Sequence, residues 1–156
     1  MILEEQKIII PKIKIPPVLK GKIKIFSNCK LSKDEVLWFQ VSLQLVANHI
    51  VKDQIDLSDY YSLNLFFTEN GSISFHDELD NVNGMQIYMA IYKMNQIRRK
   101  KIAAFSMFVY IEELAHYFWR ISDETIIKHK VVEIMQDLAP DFSIDIPKGW
   151  GLNGLS

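Results

Sequence analysis

Between Ile102 and Trp119 the only acidic or imidazole side chains are Glu112, Glu113 and His116; every other residue is apolar, aromatic, Ala or Ser. Glu112 and His116 stand four apart, so a helix stacks them on one face. A carboxylate oxygen and an imidazole nitrogen placed in this way can share one metal ion. The same face continues through Phe105, Phe108 and Trp119 and is apolar elsewhere. A bare carboxylate there is costly. A metal ion, a hydrogen-bond partner or a local opening to solvent must offset it. A Glu-Glu-x-x-His string on an ordinary helix is usually a solvated pair, and the apolar setting argues against that account.

The spacing resembles the His-Glu-x-x-His helix of the zincin metallopeptidases, with Glu112 in place of the first His. In that family the two outer residues grip a zinc ion and the Glu between them acts as general base on the metal-bound water. The resemblance implies Glu112 and His116 as metal ligands and Glu113 as the catalytic base. Carboxylate oxygen is an acceptable zinc ligand at about 2.0–2.2 Å. A third protein ligand is expected, and the next helix offers His129 and Glu133, again four apart. With His129 the set is two His and one carboxylate, for which Zn is the expected ion. With Glu133 it is one His and two carboxylates, which suits Mn or Fe. The residue not used as a ligand could hydrogen-bond one from outside. The resemblance covers roughly residues 60–138. It implies a metal-dependent hydrolase, most concretely a peptidase, with the 85–93 strand docking a peptide or protein substrate as an added strand. The alternative is a zincin-like module without catalysis that binds a peptide or protein partner.

These residues need a frame. Residues 7–15 and 22–26 alternate locally between Lys and Ile and suggest half-buried strands, with Pro11, Pro16 and Pro17 confining the first to an edge strand or extended arm over 1–20. The Ile-rich arm is expected to close its own sheet; packing against a second copy in a homo-oligomer is the alternative. Ser32 to Glu35 is a capping-box pattern opening a helix to about residue 52, with Val36, Leu37, Phe39, Leu43, Val46 and Ile50 as apolar positions. Residues 60–68 read as a strand, Asn70-Gly71 as a hairpin turn and Ser72–His76 as its returning partner. Residues 77–84 form an acidic loop, and 85–93 read as a further strand. Arg98 to Lys101 begin or precede a long helix to about Arg120. Ser122-Asp-Glu caps a last helix to about Leu138, closed by Pro140. Residues 141–156 read as an irregular tail. The expected class is α+β: a single domain over 1–156, with a mainly antiparallel sheet packed against an N-terminal helix, the long motif helix and a C-terminal helix.

Composition bounds the rest. The chain has 156 residues, 49% hydrophobic and 24% charged, enough for one domain with a core. A net charge of -1 gives no basic excess that would favour nucleic acid or an anionic membrane. The longest uncharged helical stretch, 102–111, is shorter than the roughly 20 residues that span a bilayer. The lone Cys29 and an acidic start that does not look like a signal peptide point to a cytoplasmic protein. His49 falls near the end of the first helix, where a cationic imidazole suits the dipole. His76, Asp77, Glu78 and Asp80 read as a solvated acidic loop, and Cys29 as an incidental thiol. Tyr110 and Tyr117 point away from Glu112 and are expected to pack. No phosphate-binding Gly-rich loop or Ser-nucleophile motif is present.

Overall fold

A computed structural model describes residues 8–70 and 88–152. The elements run β1 (Ile23–Ser27), α1 (Lys33–Lys52), β2 (Leu63–Thr68), β3 (Tyr88–Lys93), α2 (Met94–Arg99), α3 (Ala103–Phe118), α4 (Glu124–Met135) and α5 (Asp145–Gly149). The α+β class holds. The sheet does not match the antiparallel expectation. Its three strands lie in the order β1-β2-β3, and both neighbouring pairs are parallel. The physical reason lies in the connection: a 20-residue helix, α1, separates β1 from β2, and a crossover of that size returns the chain in the same direction. Alternation of side chains marks a strand but carries no direction. The expected Asn70-Gly71 hairpin and its partner strand 72–76 reach beyond the described residues, as does the acidic loop.

Three rows of side chains cross the sheet toward the helices. The paired positions are Ile23↔Leu63, Ile25↔Leu65↔Ala90 and Ser27↔Phe67↔Tyr92, all buried. β2 is buried at five of its six positions, as a central strand enclosed on both faces should be. The arm contributes less than a strand. Among its described residues only Ile9 pairs with Ser27, through a reciprocal antiparallel bridge of 2.6 and 2.8 Å, and Ile8, Ile9 and Ile10 are exposed.

α1 starts at the expected capping box. Ser32 Oγ accepts from the Glu35 amide at 3.1 Å, and Glu35 Oε1 accepts from the Ser32 amide at 2.9 Å. Phe39, Leu43, Val46 and Ile50 face the core, whereas Leu37 turns to solvent. At the centre, Phe39 meets Phe67, Tyr92 and Tyr110 with ring centroids 4.9, 5.9 and 5.3 Å apart. Tyr92 Oη donates to the Tyr110 carbonyl at 2.8 Å and ties β3 to α3.

The cationic run closes one helix instead of opening the next. Arg98 and Arg99 form the last turn of α2, where positive charge complements the macrodipole. α3 then begins at Ala103 and is apolar nearly all round, as a helix packed between α1 and α4 must be. The predicted tail carries more order than expected: α5 lies within it, and Trp150 packs edge-on against Phe105 and Phe108 at 5.4 and 5.7 Å.

Candidate functional site

α3 and α4 are joined by a short turn that builds the site. Arg120 takes φ 53° after the last turn of α3 and reverses the chain. The Ile121 carbonyl then accepts from His116 Nδ1 at 2.6 Å. Nδ1 is committed there, so Nε2 is the ring nitrogen left to meet a ligand, and it lies 3.7 Å from Glu124 Oε1. α4 is capped one residue later than expected, by Asp123, whose Oδ1 accepts from the Thr125 and Ile126 amides at 2.9 and 2.8 Å. That cap sets the register which turns Glu124 toward α3.

Glu112, His116 and Glu124 each bring one ligand atom into a group whose members all lie within 4.8 Å of one another. Glu112 and His116 were expected together; Glu124 was not. His129 is exposed on α4 and outside this group. Glu133 belongs to a different group, with His49 and Asp53. The hydrophobic stripe of α4 could have shown this. Ile127, Val131, Val132, Ile134 and Met135 are buried, and Lys128 shares their face at 3% exposure, whereas His129 and Glu133 fall outside it. A lysine on an apolar stripe was the missed signal.

Lys128 Nζ lies 3.2 Å from Glu112 Oε2 and 3.1 Å from Glu124 Oε2. A positive charge therefore already stands between the two carboxylates, where a metal ion bound by them would also have to stand. The donor set, two carboxylates and one imidazole, fits Zn, Mn or Fe. Glu113 is half-buried beside this group. Burial pushes its carboxyl above the usual range; Glu112 and Glu124 add to the rise, and His116 and Lys128 oppose it. Among the described residues it has no hydrogen-bond or ion-pair partner.

A cleft of about 520 Å³ has His116 in its wall. Asp59, Tyr60, Tyr61, Tyr88, Tyr117 and Arg120 complete its wall. The aromatic rings brace one another, with Tyr60–Tyr117 at 5.7 Å and Tyr88–Tyr117 at 5.4 Å. Tyr60 Oη donates to the Phe118 carbonyl at 2.8 Å, Tyr117 Oη donates to the Tyr61 carbonyl, and the Arg120 guanidinium sits 4.5 Å from the Tyr60 ring centroid. Tyr117 thus lines the cleft as well as packing, while Tyr110 is wholly in the core. β3 is an edge of the sheet among the described residues.

Comparison with known proteins brings no match: no family model, curated protein or solved structure is significantly similar to this chain. Among the described residues no helix is long and apolar enough to cross a membrane.

Proposed function

We propose that the α3–α4 junction holds a divalent metal ion and that the domain is a metal-dependent hydrolase acting on a peptide or protein. The observation that carries the reading is the position of His116, which belongs to the ligand group and also forms part of the cleft wall. Glu112, His116 and Glu124 would hold the ion, and two carboxylates with one imidazole put Mn or Fe first, with Zn as the alternative. A bound ion would supply Lewis acidity. Glu113 is suited to accept a proton, because its raised pKa brings the carboxyl closer to a working pH. The tyrosine-lined cleft would seat the substrate, with Arg120 offering a charge to a carbonyl or carboxylate and the β3 edge offering main-chain bonds to an extended segment.

A second reading rests on Lys128. Its ammonium satisfies both carboxylates from a nearly closed position, so the cluster can stand as a permanent ion-pair network in a non-catalytic peptide- or protein-binding module. Zinc and manganese titrations of wild type and Lys128→Met separate the two. The hydrolase reading expects metal to bind both proteins and to bind the variant at least 10-fold more tightly. If Lys128→Met binds neither metal more tightly than wild type does, the junction holds no ion and the hydrolase reading fails.

A further inference from the structure

We propose that His49, Asp53 and Glu133 form a second site, for a divalent first-row transition metal, where the end of α1 meets the C-terminal half of α4. His49 and Asp53 are four apart on the last turn and cap of α1, and Glu133 faces them from α4. One ligand atom from each lies within 4.8 Å of the others. Three carboxylates and a histidine can gather for ion pairing alone, so the state of the imidazole decides the matter. His49 is 1% exposed. Its Nε2 lies 2.7 Å from Asp137 Oδ2, a distance that commits a proton to that nitrogen. Its Nδ1 is buried with no hydrogen-bond partner, and the Glu133 Oε2 nearest to it is 4.0 Å away, too far for a hydrogen bond.

A carboxylate that holds one ring nitrogen while the other is left bare is the outer half of a carboxylate–histidine–metal arrangement. Asp53 is oriented in the same manner, since its Oδ2 accepts from Trp119 Nε1 at 2.8 Å. Lys130 presently supplies the positive charge: its Nζ bonds Asp53 Oδ2 at 2.6 Å and also pairs with Glu133. That ammonium satisfies both carboxylates but does nothing for His49 Nδ1. A single cation between the three side chains would satisfy all of them. Lys130 has a flexible stem and already lies against the Trp119 ring, 4.9 Å from its centroid, so it can withdraw without unpacking the core. One nitrogen and two oxygens suit Zn, Mn or Co.

This site is independent of the α3–α4 junction, and zinc titration of the full chain by calorimetry can keep the two apart. The background is His116→Ala, which disables the junction. That protein should still bind one equivalent of zinc. Adding Asp53→Asn should weaken this binding at least 10-fold, and adding Lys130→Ala should tighten it about 10-fold. Neither substitution touches a fully buried side chain. Nitrogen-15 NMR of the wild type should show the Nδ1 resonance of His49 moving on zinc addition, while Nε2 keeps its proton. An His116→Ala protein that binds no zinc, or binds it equally with and without Asp53→Asn, overturns the proposal.

Discussion

Lys128→Met removes the cation that stands between Glu112 and Glu124 at the α3–α4 junction, and its consequences can be worked out from the distances. The ammonium is 3.2 Å from a Glu112 oxygen and 3.1 Å from a Glu124 oxygen, and the two carboxylates differ in exposure, 18% against 56%. The Glu124 arm is largely solvated, so its loss amounts to about 0.2–1 kcal/mol. The Glu112 arm is enclosed, and removing one partner of a buried pair costs about 3–5 kcal/mol because the other charge is stranded. Met keeps the apolar stem packed and recovers part of this. The expected net loss is about 3 kcal/mol, measured by urea denaturation followed through tryptophan fluorescence. Glu112→Gln in the same chain should restore at least about 2 kcal/mol, since the two residues act as a unit. Zinc at about 100 times its Kd should return about 2.7 kcal/mol to the single variant. A loss below about 1 kcal/mol, or a double variant whose effects simply add, would refute the idea that Lys128 is the counter-charge holding Glu112 in place.

Other expectations follow from the same structure. Glu113→Gln should raise stability at neutral pH and leave it unchanged well below 4.5, its ordinary value. Its raised pKa means that stability is full below the unfolded value and falls as pH rises toward the folded one; equal gains at both pH values in denaturation curves would contradict this. Glu35 behaves with the opposite sign. Burial raises its pKa, but bonds from Arg98, at 2.7 and 3.0 Å, and from Ser32 outweigh that and hold it below 4.5. The Glu35 contribution is therefore present above 4.5 and lost as pH falls through the lowered value, and Glu35→Gln should cost about 2 kcal/mol at neutral pH but little in acid. Asp123→Ala removes the α4 cap and should cost about 1 kcal/mol by the same assay. If metal binding at the junction depends on that register, its affinity should drop along with stability.

The sequence carried much of this arrangement. The capping box at Ser32, the apolar α3 and the stacking of Glu112 on His116 are local properties, written in residue type and spacing. Sheet direction is not local. It follows from the long crossover through α1. The third member of the site was missed for a similar reason. His129 and Glu133 have the side-chain types and spacing of ligands, but the buried stripe of α4 runs through Lys128 and leaves them off it. Glu124 comes into reach only because Arg120 reverses the chain and Asp123, rather than Ser122, caps the helix. Likewise, nothing in the sequence pairs His49 with Asp137, 88 residues later.

The central claim is that Glu112, His116 and Glu124 hold a metal ion. Zinc stoichiometry of untagged wild-type protein compared with His116→Ala tests it most directly. The account predicts one equivalent fewer in the variant, whatever the His49 site binds. Equal stoichiometry and affinity in the two proteins would contradict it.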